Sequence, residues 1–295
     1  MDRWDDMRVF LAVARAESLS RAAPVLKMDA ATVGRRISRL EQGMGAALFA
    51  KSQQGYALTD LGARMLAHVE AAEAAMSQAA DEVQGTQGGL TGQIRIGAPD
   101  GAANYLLPQV CATIAAQNPD LEIQILALPR VVNLSKREAD MAVTVSPPDA
   151  GRLVVQKVTD YRLHLAARAD IANKIATRAD LRDVPFVGYI PDMIFDKELD
   201  YLGNLASSGV QVASNSVAVQ AMALRAGAGV GIVHDFALPM MPEVRRVLTQ
   251  EVSLVRSFYL VRHQSDRRSE RLTRFAEAVT AGVRAQVAQL EGAVA

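Results

Sequence analysis

Four glycines, Gly85, Gly88, Gly89 and Gly92, interrupt the chain within a short stretch and separate two regimes that one sheet or bundle could not absorb. Before them apolar residues recur at helical spacing. After them, from Ile94 to Gly97 onward, short apolar runs alternate with helical stretches, as in an α/β domain with a largely parallel sheet. The 295 residues exceed the roughly 100 to 200 of a single domain, so the cluster reads as a hinge between separately cored parts. Hydrophobic residues at 50% and charged ones at 22% place both parts in the globular range rather than the disordered or fibrous one. With 32 basic and 32 acidic residues the net charge is +0, so attraction to a polyanion has to come from local clustering.

The only cysteine, Cys111, has no partner for an intramolecular disulfide, which fits a reducing compartment and a small buried hydrophobe. The opening MDRWDD lacks the basic and apolar regions of a signal peptide, and the uncharged stretch from Tyr201 to Leu224 is interrupted by polar residues, so no membrane segment is expected. A cytoplasmic protein is the expectation.

In the first regime Met7, Phe10, Leu11 and Ala14 mark an amphipathic helix that ends near Ser18 to Ser20. Ser20 is read as the N-cap of a short second helix through Ala22, Ala23 and Leu26, and Asp29 as the cap of a third, with Ala30, Val33, Ile37 and Leu40 as its apolar stripe. At about 100° per residue, Thr32, Arg35 and Arg39 project from the opposite side, with Arg36 at the flank. Five basic residues and one acid lie between Arg21 and Arg39. A basic helix after a short helix and a tight turn suits the major groove; an arginine-rich run alone would more often be a solvated face. Two short strands, Leu48 to Lys51 and Tyr56 to Leu58, then flank a polar tip at Ser52 to Gly55 and read as a wing able to lie along phosphates. Candidate DNA contacts are Ser20, Thr32, Arg35, Arg36, Arg39, Lys51 and Gln54.

These elements resemble the signature of LysR-type transcriptional regulators. Ser18 to Leu66 is similar to it almost without a gap, with Arg39-Leu40-Glu41, Leu48-Phe49 and Leu58-Thr59-Asp60-Leu61-Gly62 in order. Ala30 and Gly34 stand where such regulators often carry Gln and Ser, which moves base reading toward Thr32 and the three arginines. The next stretch carries Leu61, Met65, Val69, Ala72, Met76, Ala79 and Val83 at spacings of four and three, approximating heptads. The resemblance implies a dimer linker helix there. It also implies an α/β effector domain with two lobes like periplasmic solute-binding proteins, to which Leu106-Leu107-Pro108 and Arg137 to Val143 are similar.

The expected division is a winged helix-turn-helix over 1–60, a linker helix and hinge over 61–92, and an effector domain over 93–295. Its lobes would be 93–161 with 261–295, and 162–260, and a last helix near Arg268 to Leu290 would pack on the first lobe. Strands are expected at Ile94 to Gly97, Leu121 to Leu128, Met141 to Val145, Arg162 to Ala167, Phe186 to Tyr189 and Gly229 to Val233. Ligands of open α/β sheets bind at the carboxyl ends of strands, where helix N-termini offer amides. The corresponding loops run from Ala98 to Gly101, Pro129 to Val131, Ser146 to Pro147 and Ser214 to Ser216. Asp100, Gly101, Ser146, Asn215 and Ser216 are the candidate effector contacts, each weighed against a turn or capping role. A carboxylate at Asp100 works against an organic-acid effector unless compensated.

Gly227 to Gly231 follows a helix and enters a strand, the reverse of a dinucleotide fingerprint, and reads as a helix C-cap. His68, His164, His234 and His263 are too scattered for a metal motif, and no nucleophile elbow occurs. The reading is a regulator of transcription without cofactor, metal or enzymatic activity. It would bind double-stranded DNA and a small molecule as a homodimer or homotetramer, with room for RNA polymerase as a partner. The alternative is a small-molecule-binding or enzymatic α/β protein with an incidental helical N-terminus.

Overall fold

The computed structural model describes residues 4–52, 55–84, 89–127, 134, 138–148, 151–202, 205 and 209–294. The chain divides into two compact units, one built chiefly from 1–86 and the other from 87–134, 139–264 and 271–295.

The first unit opens with α1 (Trp4–Ala16), α2 (Leu19–Leu26) and α3 (Ala30–Met44). The cap of α2 is Ser18, not Ser20: Ser18 has the extended backbone an N-cap requires, and its hydroxyl accepts from the Arg21 amide at 3.4 Å. Ser20 is exposed inside the helix. Asp29 caps α3 as expected, accepting from the Thr32 amide at 2.8 Å. Strands β1 (Phe49–Ser52) and β2 (Gly55–Leu58) pair antiparallel from Phe49↔Leu58 to Ser52↔Gly55, and α4 (Asp60–Gln84) follows. Phe10, Val13, Ile37, Leu48, Phe49 and Val69 form the core.

Each spaced motif has a local job. Glu41 at the end of α3 accepts from the amides of Leu48 at 2.9 Å and Phe49 at 3.1 Å, fixing where the hairpin begins. Thr59 donates its amide to the Leu48 carbonyl and its hydroxyl to the Ala47 carbonyl, while that hydroxyl accepts from the Gly62 amide at 3.0 Å. The start of α4 is thereby held so close that a Cβ on Gly62 would lie 2.1 Å from the Leu48 carbonyl oxygen.

In the second unit β3 (Gly92–Ala98), α5 (Asp100–Tyr105), α6 (Leu107–Gln117), β4 (Leu121–Ala127) and β5 (Met141–Thr144) form the first lobe, β3 pairing parallel with both β4 and β5. The long β6 (Leu153–Arg168) leads through α7 (Ala169–Ala172) into the second lobe. There β7 (Phe186–Gly188), β8 (Val210–Ala213), α8 (Val217–Ala226), β9 (Val230–His234) and β10 (Val244–Arg246) follow. β11 (Ser253–His263) returns, and α9 (Glu270–Gly292) ends the unit. Gly227 caps α8 at φ +86, as expected for a helix end.

Among the described residues these strands form one nine-stranded sheet, ordered β4-β3-β5-β11-β6-β9-β7-β8 with β10 on β6. It is mixed rather than largely parallel, because β6 and β11 run antiparallel through both lobes. β11, β8 and the first half of β6 do not stand out in the sequence. The first half of β6 carries Gln156, Lys157 and Thr159, and β11 carries Arg256 and an exposed Val255, so neither is an unbroken apolar run. The helix α9 lies against the first lobe: Arg284 donates to the Val158 carbonyl at 2.6 Å, and Val279 and Val283 are buried.

Candidate functional site

On α3 the three arginines behave differently. Arg35 is exposed and donates to the Thr32 hydroxyl at 2.6 Å, which itself donates to Asp29 at 2.7 Å, so the cap organises the outward-facing side chains of the first turn. Those hydrogen bonds, that from the Thr32 hydroxyl first, hold the Asp29 carboxyl below its usual range. Arg39 turns back to α1 and grips Asp6 through two bonds, Nε at 2.9 Å and the second guanidinium nitrogen at 2.5 Å. Arg36 stands 3.8 Å from the same carboxylate, which is only 1% exposed. Asp6 is thus an anchor for α3 that the sequence did not single out. Its signal is an acid on the apolar face of α1, in register with Phe10 and Val13.

On the wing, Lys51 lies 3.9 Å from Glu41 and 5.9 Å from the centre of the Tyr56 ring, with its side chain half exposed. Ser20 is exposed on α2. Gln54 lies outside the described residues. On α4, Val69 packs in the unit's own core and Glu73 pairs with Arg15, while Met76 is 54% exposed and Ala79 is exposed.

In the second unit all five candidate ligand residues border or bridge the cleft between the lobes. Asp100, at the start of α5, accepts from the Ser216 hydroxyl at 2.9 Å and the Ala218 amide at 3.0 Å, both at the N-terminus of α8 on the facing lobe. Its second oxygen accepts from Asn104 at 3.0 Å. Ser216 also caps α8, accepting from the Val219 amide. Gly101 lets the backbone approach His234, whose ring carbon would be 3.1 Å from a Cβ there, and Asn215 lines the same space. Ser146, one loop away, donates to Asp196 of the other lobe, which in turn caps the turn at Lys197–Leu199. The loop from Pro129 to Val131 lies outside the described residues.

The floor and walls of the cleft are aromatic, and sequence reasoning missed them. Tyr161 of β6 stacks on Phe258 of β11 at 4.1 Å between ring centres and on His234 at 5.5 Å; Tyr189 and Tyr201 meet edge to face at 5.8 Å. The two long strands deliver Tyr161 and Phe258 to one spot, a pairing that neither strand's own pattern reveals. Burial pushes His234 down to about 3, so the ring is neutral, and raises the Tyr161, Tyr189 and Tyr201 hydroxyls above their ordinary range. The space among these residues is about 10 Å³, at the limit for a single water. A second hollow of about 500 Å³ shares Tyr189, Leu199 and Tyr201 with it and is otherwise bounded by the second lobe.

Cys111 is buried on α6 and its thiol is pushed up to about 11, so little thiolate exists at neutral pH. Among the described residues no group of His, Cys, Asp or Glu could hold a metal ion, and no helix is long and apolar enough to cross a membrane.

Two family models match the chain: "Bacterial regulatory helix-turn-helix protein, lysR family" over residues 4–63 and "LysR substrate binding domain" over 87–284. The transcriptional regulator DgdR of Burkholderia cepacia is 33% identical over 150 residues, which is 50% of either chain, so the match spans about half the length of that relative. CbbR of Rhodospirillum rubrum is 25% identical over 289 residues, 95% of each chain. Among solved structures, ArgP from Mycobacterium tuberculosis superposes with a TM-score of 0.65 at 20% identity, covering 94% of this chain and 96% of that one; at this identity the likeness is one of fold.

Proposed function

Because the chain belongs to the LysR family of helix-turn-helix proteins, we propose that it is a sequence-specific DNA-binding regulator of transcription whose DNA binding or activation responds to a small molecule held between the lobes of the second unit. The observation that carries the reading is the outward side of α3, where Thr32 and Arg35 are presented by the Asp29 cap beside a two-stranded wing. Residues 1–60 then form the winged DNA-binding domain, 61–92 the linker and 93–295 the effector domain, with lobes 93–161 plus 261–295 and 162–260. Arg35 and Thr32 are assigned to bases, and Lys51, Ser20 and the wing tip with Gln54 to phosphates. Arg36 and Arg39 contact phosphate with the donors that Asp6 leaves over. Asp100, Gly101, Ser146, Asn215 and Ser216 frame the effector site. The exposed Met76 and Ala79 on α4 support a homodimer through the linker, so that two modules reach half-sites about one DNA turn apart. The protein acts in the cytoplasm and catalyses no reaction.

The test is fluorescence anisotropy of the wild type and Arg35→Ala on the DNA flanking the protein's own gene, against scrambled DNA. Affinity should fall steeply between ~50 and 200 mM salt, and the substitution should weaken specific binding by about tenfold or more. Salt-independent binding, or an Arg35→Ala variant equal to wild type on both DNAs, would remove α3 from the interface. Small-molecule turnover by the purified protein would favour the enzymatic alternative.

A further inference from the structure

We propose that the cleft takes an uncharged aromatic effector, because the place where an anionic effector would dock is already filled by the carboxylate of Asp100. The inference rests on the reading of the second unit as an effector domain and names the ligand class of that site.

The first amides of a helix and a hydroxyl at its cap are the donors a ligand carboxylate would seek between two α/β lobes. At α8 those donors are the Ala218 amide and the Ser216 hydroxyl, and both are given to one oxygen of Asp100, while Asn104 serves the other. The chain thus supplies its own anion, and it does so from the opposite lobe. A second anion would have to displace it. Among the described residues no lysine or arginine lines the cleft, and Arg256, on β11 nearby, is committed to Glu198 at 2.8 Å. His234 is neutral at physiological pH and offers no positive charge. A cationic ligand fares no better, since the Asp100 carboxylate is satisfied by three donors and has little to gain from an ammonium that must be desolvated.

What the cleft does offer is flat apolar surface with spare hydrogen-bonding capacity. Tyr161, Phe258 and His234 form a stacked floor, and Tyr189 and Tyr201 an edge-to-face wall. The Tyr161 hydroxyl, beside that of Tyr201, is buried without a hydrogen bond of ordinary geometry. The Tyr201 hydroxyl reaches His234 Nε2 only at 3.5 Å. A buried hydroxyl placed like that of Tyr161 favours a further hydrogen-bond partner. An aromatic ring bearing one uncharged polar atom satisfies both requirements. Since the latched cleft retains only about 10 Å³, such a ligand enters as the Asp100–Ser216 and Ser146–Asp196 contacts part, so occupancy and lobe separation are one equilibrium.

Three probes sharing one ring separate the classes: benzyl alcohol, benzoate and benzylamine, titrated into the full-length protein by calorimetry with thermal shift alongside. Benzyl alcohol should bind the wild type at least about tenfold more tightly than either charged probe, and Asp100→Ala, with the α8 donors vacated, should bind benzoate at least about tenfold more tightly than wild type does. Equal or better binding of benzoate or benzylamine by the wild type overturns the proposal, as does binding of none of the three, or an Asp100→Ala variant that folds and gains nothing for benzoate. Should that variant not fold, the wild-type ranking decides alone. DNA binding of the same preparation, measured without probe, keeps the two readings apart. Specific DNA binding with a preference for benzoate overturns only the ligand class. A preference for benzyl alcohol without specific DNA binding overturns only the regulator.

Discussion

Two carboxylates at helix contacts, Asp6 in the first unit and Asp100 in the second, are used in opposite ways. Asp6 is buried between α1 and α3 and takes its donors from arginines whose stems lie on the helix surface. Asp100 is half-buried at a cleft and takes its donors from a hydroxyl and a backbone amide of the opposite lobe. The first pairing leaves nothing to displace. It joins the buried Val33, Ile37 and Leu40 in holding α3 against α1, with Arg35 facing outward. The second holds two lobes together through groups that a ligand could also use. A polar pair is therefore a brace when its atoms are sealed within one core, and an occupant when they border a space that can open. The single tryptophan, Trp4 on α1, lets the first unit be followed on its own by fluorescence.

The largest effect expected on the rigid side of this comparison comes from Gly62→Ala. Its new Cβ would lie 2.1 Å from the Leu48 carbonyl, backbone that cannot swing away as a side chain would. Loss of about 3 kcal/mol from the first unit is expected, read as an earlier urea midpoint of Trp4 fluorescence. Wild-type stability in this variant would mean that the start of α4 is not braced against the hairpin, and with it the fixed wing would be in doubt.

The brace itself is tested next, by comparing Asp6→Ala with Arg39→Ala. Removing Asp6 should cost about 1 to 3 kcal/mol, since charge-assisted bonds are lost but the arginines can turn to solvent. Removing Arg39 strands a buried carboxylate with only Arg36 nearby and should cost more. On DNA, Arg39→Ala should weaken specific and scrambled sequences alike, whereas Arg35→Ala should change discrimination and leave the urea midpoint in place. A stable Arg39→Ala with altered base preference would make Arg39 a reader of bases rather than a brace.

The same contrast explains what could be read from the sequence. Asp29 acts on an amide three residues away, so a capping pattern exposes it, and Glu41, Leu48-Phe49 and Thr59 to Gly62 act within one short segment whose ordered motifs carry the family resemblance. Asp6 escapes because its partner is 33 positions distant, although an acid in an apolar stripe was a usable sign. In the second unit strand-end logic leads to Asp100, Ser146 and Ser216, but not to their relation. That relation depends on how two lobes meet across residues separated by 116 positions. Tyr161, Tyr201, His234, Phe258 and Asp196 reach the cleft from long strands and short turns whose patterns carry no mark of it. The mixed sheet is hidden for the same reason, since β6 and β11 alternate polar and apolar residues in different ways in each lobe.

The smallest effect tests whether the cleft floor is as dry as its closure implies. His234 sits among Tyr161, Tyr201 and Phe236 with its folded-state value lowered to about 3 by burial alone, against an ordinary 6.5. Below pH 6.5 the unfolded chain takes up a proton that the folded ring refuses, so stability must fall as pH drops from 6.5 toward 3 and is unaffected by this group above 6.5. Between pH 6.5 and 5.5 the loss attributable to His234 is about 1 kcal/mol, and His234→Phe, which keeps a flat ring on Tyr161, should remove it. The measurement is the difference in urea midpoint between the two proteins at each pH, followed by far-ultraviolet circular dichroism. A constant difference would mean that His234 titrates normally, that water reaches the floor, and that the second unit opens without a ligand. A difference that narrows in the wild type on adding benzyl alcohol would place the ligand elsewhere, because filling the cleft should keep the imidazole as dry as closing it.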